Sequence, residues 1–242
     1  MTKARYDAVI FDTDQTLVDS LSVMDEAFHQ TIRCRYHRRA RITDLPRKDY
    51  VGISIDRIIA STLRKLGFDD DVIADEIGPT KRELDHQLIG HLKNARRKNL
   101  EELAMPGVRE LLLSLKEYGI HRASYTGATA AVNTALLDAS GLSPLLQARS
   151  TSDDGHNRLD ILLNAYAKLC KVCPSDCHEL HRKNVLVVGD SPKDVEAAHD
   201  AKMKSLRITK GWYGFEQIDP LPDYTTYDLS RPQRILKTFI LT

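Results

Sequence analysis

The sequence predicts an α/β fold in which a Rossmann-like parallel sheet core carries an inserted all-helical segment. Residues 8–11 and 185–188 form short apolar runs, which are typical of parallel strands buried on both faces. Residues 17–103 show helical periodicity without a convincing buried strand, and strands and helices alternate again after residue 104. We therefore expect residues 1–16 and 104–242 to form the sheet core and residues 17–103 to form a helical insertion.

The predicted insertion begins with an amphipathic helix. Asp19 or Ser20 is a candidate cap, and apolar residues recur every three or four positions from Leu21 onwards. Further amphipathic stretches cover residues 53–66, 72–77 and 82–92, with breaks expected at Gly67 and Gly78-Pro79.

The predicted core resumes beyond Pro106-Gly107, where βα alternation returns. Its elements are, in order, a helix from Val108, a strand at 120–125, a helix ending at Gly141, a helix at 158–169, the strand at 184–188, a helix from Pro192 to Lys202, a strand at 206–209 and an edge piece at 223–229.

The composition is that of an ordinary globular protein of 242 residues, with 42% hydrophobic and 29% charged residues. A formal net charge of +1 gives no general attraction to nucleic acid or membranes. No apolar run approaches the length of a membrane span, and no secretory segment is recognisable. We expect a cytoplasmic protein with neither a nucleic-acid nor a membrane partner.

Two local clusters have less specific interpretations. Cys170, Cys173 and Cys177 could supply a zinc site, but their spacing is unusual, and cysteines packed in a helix-to-strand connection are favoured. The basic run at residues 33–41 is most simply solvated surface, and an anion-attracting rim or a protein contact is the alternative.

Acidic residues follow both buried strands, where an open α/β sheet forms its ligand crevice. Asp12 and Asp14 follow the first strand, and Asp190 and Asp194 follow the second. Carboxylates at buried strand ends are costly without compensation, so a metal, hydrogen-bond donors or both are expected. Turn formation is the alternative for the first pair. Ser191 and Asp194 also match a capping box with Pro192 at the first helical position, so Asp194 is expected to cap a helix and orient the metal shell.

Three motifs, at residues 12–20, 125–127 and 188–194, follow one another in the order found in a known family. Together with residues 105–112 they make the sequence resemble the haloacid dehalogenase-like hydrolase superfamily, in particular its phosphoglycolate phosphatase and β-phosphoglucomutase group. The resemblance covers nearly the whole chain and implies that the insertion is a helical cap. It implies a Mg²⁺-dependent phosphatase that hydrolyses a small phosphorylated metabolite through an aspartyl-phosphate. A phosphomutase and a catalytically weak binding protein are the alternatives.

The resemblance also assigns roles to the strand-end residues. Asp12 is the expected nucleophile and Asp14 the expected general acid/base. Asp12, Asp190 and the backbone carbonyl of Asp14 are expected to hold Mg²⁺, with Asp194 as a further member. Thr126 and Gly127 are expected to bind phosphate at a helix N-terminus, and a helix cap by Thr126 is the alternative.

The sequence departs from the family at a lysine that normally offsets the charge of the nucleophile and phosphate. His156 stands at that position, and histidine is only partly cationic at neutral pH. We expect His156 to carry the charge, with activity best below neutral pH, or Arg158 to reach in instead. Lys168 is a poor substitute because it lies roughly 15 Å along the helix. Arg47, Lys48 and Gly52 are expected to form the substrate loop of the cap.

Overall fold

Six parallel strands form one sheet in the order β3-β2-β1-β4-β5-β6. The computed structural model describes residues 4–46, 49–50, 53–95, 103–172, 180–210 and 218–242. The strands are β1 (Ala8–Asp12), β2 (His121–Tyr125), β3 (Ala148–Ser150), β4 (Val185–Gly189), β5 (Lys204–Ile208) and β6 (Tyr224–Thr226). This sheet confirms the predicted fold class.

Helices connect these strands and supply the inserted segment. They are α1 (Leu21–Tyr36), α2 (Ile55–Lys65), α3 (Asp70–Ala95), α4 (Val108–Glu117), α5 (Ala130–Ala139), α6 (Arg158–Val172), α7 (Pro192–Asp200) and α8 (Pro232–Ile235). None of these described helices has the length and apolar character needed to cross a membrane.

The centre of the sheet is β1, which pairs with β2 on one side and β4 on the other. All five of its residues are buried. Successive side chains alternate between the faces, so Val9 and Phe11 join one apolar cluster while Ala8 and Ile10 join the other. A strand that is buried on both faces has a continuous apolar sequence, which is why the sequence pattern predicted β1.

Helices α1, α2 and α3 lie between β1 and β2 in the chain and pack on one another. Their common interior includes Phe28, Ile59, Leu63, Leu84 and Leu88, which are all buried. This arrangement agrees with an all-helical insertion, while the proposed boundaries at residues 16/17 and 103/104 stay a prediction.

The expected helix break at Gly78-Pro79 is wrong, because α3 runs continuously through Pro79. Proline lacks the backbone N–H and normally ends or kinks a helix. Here Ile73 before the proline and Leu84 after it are both buried in the same apolar cluster. The packing of both halves on one core favours a single helix over the local preference.

Two arginines of the basic run at residues 33–41 form ion pairs within the insertion. Arg35 lies 2.5 Å from Glu76, and Arg41 lies 2.9 Å from both Asp25 and Glu26. These pairs connect α1 to α3 and to the following loop, so two of the arginines serve the local structure. Cys34 and Cys170 are exposed free thiols, whereas Cys173 and Cys177 lie outside the described residues.

A hydrogen bond joins α3 of the insertion to α5 of the sheet core. The Thr129 hydroxyl, at the start of α5, donates to Asp85 Oδ1 on α3 at 3.0 Å. Burial raises the pKa of the Asp85 carboxyl above its ordinary value, and the nearby carboxylates of Asp153 and Asp56 add to the rise. Thr129 and Lys81 oppose the shift without cancelling it.

We predict that Asp85→Asn stabilises the protein at pH 7, because the amide keeps an oxygen for Thr129 and removes a partly desolvated charge. A carboxyl with a raised folded-state pKa opposes folding when ionised, so the wild type recovers this stability as the pH falls towards about 4. Urea denaturation at pH 7 and at about pH 4 measures the difference. The exposed Asp75→Asn on the same helix is the control, and a variant less stable than wild type at pH 7 contradicts the prediction.

Candidate active site

The order of the strands creates a crevice between β1 and β4. The chain passes from β1 to β2 and β3 on one side of the sheet and then to β4, β5 and β6 on the other side. Ligands of open α/β sheets bind beyond the carboxyl ends of the strands at such a switch point. Asp12 is the last residue of β1, and Asp190 immediately follows β4. The two predicted acidic motifs therefore meet at one edge of the sheet.

A tight loop after β1 aims Asp14 into the same crevice. Thr13 accepts backbone hydrogen bonds from both Leu17 and Val18, and Gln15 adopts a left-handed conformation with φ of 59°. The Asp14 carboxylate accepts one hydrogen bond from the Ser20 hydroxyl at 2.5 Å and another from the Thr126 hydroxyl at 2.9 Å.

Neither Ser20 nor Thr126 caps a helix, although capping was one interpretation of each in the sequence. Ser20 occupies the N-cap position of α1, but its side chain makes no capping bond because the hydroxyl is bound to Asp14. The cap of α5 is Thr129, whose oxygen accepts from the Val132 amide. Cap formation by Thr126, one of the two sequence interpretations, is thus wrong; its hydroxyl accepts from the Ala128 amide and donates to Asp14.

Asp194 occupies the predicted capping box at the start of α7. The Ser191 amide and hydroxyl donate to Asp194 Oδ2 at 3.0 and 2.7 Å, and the Ser191 oxygen accepts from the Asp194 amide. This confirms the interpretation of residues 191–194 as a helix start with Pro192 at its first turn. The other oxygen, Asp194 Oδ1, accepts from the Tyr125 hydroxyl at 2.7 Å and from Arg158 Nε at 2.8 Å.

Arg158, the first residue of α6, points its guanidinium between Asp12 and Asp194. Its Nη2 donates to Asp12 Oδ1 and lies 2.6 Å from Asp194 Oδ1. The guanidinium also lies over the Tyr125 ring, 4.4 Å from the ring centroid. One arginine thus makes two ion pairs and a cation–π contact, a geometry that the planar guanidinium allows and an ammonium does not reproduce.

Burial sets the electrostatics of this cluster. It raises the pKa of the Asp12 carboxyl well above its ordinary value; Arg158 opposes the rise, and the carboxylates of Asp194, Asp190 and Asp14 reinforce it. Burial likewise raises the pKa of Tyr125, so its hydroxyl stays a proton donor. Further positive charge would therefore relieve repulsion at this place.

The buried carboxylates Asp12, Asp190 and Asp194, hereafter the acidic cluster, fit a hard cation. Each offers one oxygen, and these oxygens lie within 4.8 Å of one another. Mg²⁺ prefers oxygen ligands and often takes only one or two protein carboxylates. Both oxygens of Asp194 already accept hydrogen bonds, which makes this carboxylate a poor direct ligand for a metal.

His156 and Arg158 lie in different environments. His156 is exposed and lines a second cavity beside α7, whereas the Arg158 side chain is only 12% exposed and contacts Asp12. Gly127 lines both this cavity and the crevice. Arg47, Lys48 and Gly52 lie outside the described residues, so their expected role in a substrate loop stays a prediction.

Sequence reasoning missed three contributors to the site. Tyr125 reads as a strand residue, yet it supports both Arg158 and Asp194. Ser20 reads as a helix cap but binds Asp14. Gly189 at the end of β4 allows Asp194 to approach, since an added Cβ would lie 2.4 Å from Asp194 Oδ2. The glycine before Asp190 was the one signal available, because strand glycines often mark a close approach.

The fold and the site together define an α/β enzyme with an acidic crevice at the switch point of a parallel sheet. Residues 6–202 match the family model of the haloacid dehalogenase-like hydrolases. The chain therefore belongs to the haloacid dehalogenase-like hydrolase family and is a hydrolase of the phosphatase type, as the sequence predicted.

Curated relatives and solved structures agree with this membership. The chain is 27% identical to the phosphoglycolate phosphatase of Vibrio vulnificus over 96% of each chain, and 26% identical to that of Vibrio cholerae over 91% of this chain and 92% of the relative. The structure resembles CbbY from Rhodobacter sphaeroides, with a TM-score of 0.74 and 19% identity over 93% and 96% of the chains. It also resembles β-phosphoglucomutase from Clostridium difficile, with a TM-score of 0.70 and 17% identity over 93% and 92%.

We predict that Gly189→Ala destabilises the protein by about 1–3 kcal/mol, because the new methyl group would collide with Asp194. The collision would displace the carboxylate that holds Arg158. Chemical denaturation measures the loss. Gly90→Ala in α3 is the matched control, since nothing lies within 4 Å of its added Cβ and a helix-interior alanine gains about 0.5–1 kcal/mol. Equal stability of Gly189→Ala and wild type would show that the close approach is unimportant.

Proposed function

We propose that the protein is a Mg²⁺-dependent phosphomonoesterase that cleaves a small organic phosphate through an aspartyl-phosphate on Asp12. The observation that carries this proposal is the acidic cluster with Arg158 bound between two of its members. Nucleophile, neighbouring acid and counter-charge all face one crevice. The phosphatase relatives support the reaction class, and phosphoglycolate is accordingly one of the substrates to test.

Asp12 is the proposed nucleophile because it ends the central strand and lines the same cavity as Asp14 and Asp190. One of its oxygens attacks phosphorus, the bond from phosphorus to the ester oxygen breaks, and that oxygen takes a proton from Asp14. A water molecule then attacks the phosphorus and gives a proton to Asp14. The bond between phosphorus and Asp12 breaks, which releases inorganic phosphate and restores both carboxyl groups.

Ser20 and Thr126 position Asp14 for these proton transfers. Each donates a hydrogen bond to a different oxygen of the carboxylate, which fixes its plane. Thr126 and the Gly127 amide are the proposed phosphate contacts, because they follow β2 beside the crevice. When phosphate binds, the Thr126 hydroxyl has to be shared between Asp14 and a phosphate oxygen.

Mg²⁺ is the proposed cofactor, held by Asp12, Asp190 and the backbone carbonyl of Asp14. When bound, it supplies positive charge that stabilises ionised Asp12 and the phosphate oxygens. Asp194 is proposed to hold Arg158 in place and to orient the ligands of the metal without binding the metal directly.

Arg158, not His156, is proposed to replace the family lysine. It contacts Asp12 directly, whereas His156 is exposed and lines the second cavity. The helical segment at residues 17–103 is the proposed cap, because α1 and α2 supply much of the cavity wall above Asp12.

The reaction is tested by measuring phosphate release from a panel that includes phosphoglycolate, sugar phosphates and simple alkyl phosphates. We expect release with Mg²⁺ and its loss in EDTA. Asp12→Asn should lower kcat by about three orders of magnitude or more, as removal of a nucleophile does elsewhere. The exposed Asp75→Asn serves as the matched control. Failure of every substrate, or full activity of Asp12→Asn, would refute the proposal, and isomerisation of a sugar phosphate without phosphate release would indicate a mutase.

The role of Arg158 is tested with Arg158→Ala, Arg158→Lys and His156→Ala. Loss of a charge aimed at the reacting group costs about 10²–10³ in kcat, so we expect a fall of that size for Arg158→Ala. Arg158→Lys should recover part of it, because the charge returns without the bidentate geometry. His156→Ala should leave the pH–rate profile unchanged. A profile whose acidic optimum disappears in His156→Ala would assign the charge to His156 instead.

A further inference from the structure

Two cavities meet at Arg158, and they differ in chemistry. The first, of about 110 Å³, contains Asp12, Asp14 and Asp190 in its wall. The second, of about 350 Å³, lies beside α6 and α7 and is lined by charged residues of both signs. Arg158, Ile53 and Gly127 belong to both walls.

The proposed reaction places the leaving group in the first cavity. The ester oxygen has to receive a proton from Asp14, so it must lie within hydrogen-bond reach of that carboxyl. Asp14 lines the first cavity and is absent from the described wall of the second. The organic part of the substrate, which is attached to the ester oxygen, therefore begins in the first cavity.

The described part of the cavity wall that the insertion contributes is mainly apolar, and Ser20 and Tyr50 are its polar members. Its apolar residues come from α1, from the turn at 42–44, from the residue pair before α2 and from the start of α2. They are Leu21, Met24, Ile42, Ile53, Ile55 and Ile58. Among the described residues of this wall Arg158 is the single cationic side chain, and it is already paired with Asp12 and Asp194.

Against the described part of this wall, an anionic tail would have no cationic partner besides Arg158. Moving a carboxylate from water to an apolar surface is costly without a partner of opposite charge. An alkyl group at the same place loses only its hydration and gains hydrophobic contact, at about 25 cal/mol per Å² of buried apolar area.

We infer that the preferred substrate is a phosphate monoester of a small apolar alcohol, in contrast to the carboxylate-bearing substrate named for the curated relatives. This inference rests on the proposed function, because it takes Asp14 as the acid that protonates the leaving oxygen. The apolar wall then selects the organic group by excluding charge.

A matched pair of substrates tests the inference on the wild-type enzyme. Isobutyl phosphate and phosphoglycolate have nearly the same shape, with an isopropyl group in one and a carboxylate in the other. Both release a primary alcohol, so the bond broken is alike. We expect kcat/KM for isobutyl phosphate to exceed that for phosphoglycolate by about tenfold or more, within the range that contacts in an apolar pocket supply.

The outcomes separate the inference from the proposed function. Phosphate release from both compounds with phosphoglycolate preferred, or with no preference, overturns the inference and leaves the phosphatase proposal intact. No release from either compound or from the wider panel refutes the proposed function itself. If phosphoglycolate is preferred, Arg57→Ala tests the second cavity, and Arg47→Ala with Lys48→Ala tests the expected substrate loop, as the source of the positive charge.

A substitution in the wall provides an independent check. Met24 is partly buried on α1, so Met24→Lys brings a cation to the apolar wall. We expect the ratio of the two kcat/KM values to shift by about tenfold or more towards phosphoglycolate. Leu113→Lys, on the exposed side of α4, adds the same charge elsewhere and should leave the ratio at the wild-type value. An unchanged ratio in folded Met24→Lys would overturn the inference, and if that variant does not fold, the wild-type ratio decides.

Discussion

Mutual repulsion among buried carboxylates is the constraint on which this site depends. Asp12, Asp190 and Asp194 bring oxygens within 4.8 Å of one another at the end of a fully buried strand. Such a cluster is stable only if positive charge or donors compensate it. Arg158 supplies part of that charge, and Tyr125 and Ser191 supply neutral donors to Asp194. Positive charge beyond that of Arg158 would stabilise ionised Asp12, which makes a divalent cation chemically suitable there.

The parallel sheet brings the acidic residues of this cluster together. Adjacent parallel strands end at the same edge, so β1 and β4 deliver their acidic residues side by side. Gly189 leaves room for Asp194, and the capping box of α7 then fixes that carboxylate. Arg158 begins α6, and its position is held by the same carboxylate. Asp194 is therefore better understood as the support of the arginine than as a helix cap alone.

The inserted helices form part of the wall of the same crevice. Side chains of α1 and α2 face the carboxylates with apolar surface, while Ser20, at the start of α1, holds Asp14. One junction between sheet and insertion thus positions a proposed proton donor and begins the apolar wall. The Thr129–Asp85 hydrogen bond joins α3 to the core at a second point. Both hydrogen bonds tie the insertion to the sheet core.

The sequence by itself determined the buried strands, the acidic motifs at their ends and most helices, because these depend on local periodicity and on residue type. It failed where distant packing decides: α3 continues through Pro79, Thr129 and not Thr126 caps α5, and β3 is too short to leave a pattern. It also left open whether His156 or Arg158 meets the nucleophile. Only the tertiary structure brought Arg158 onto Asp12, because that contact depends on how β1, β4 and α6 converge, and no local pattern encodes a distance between residues 146 positions apart.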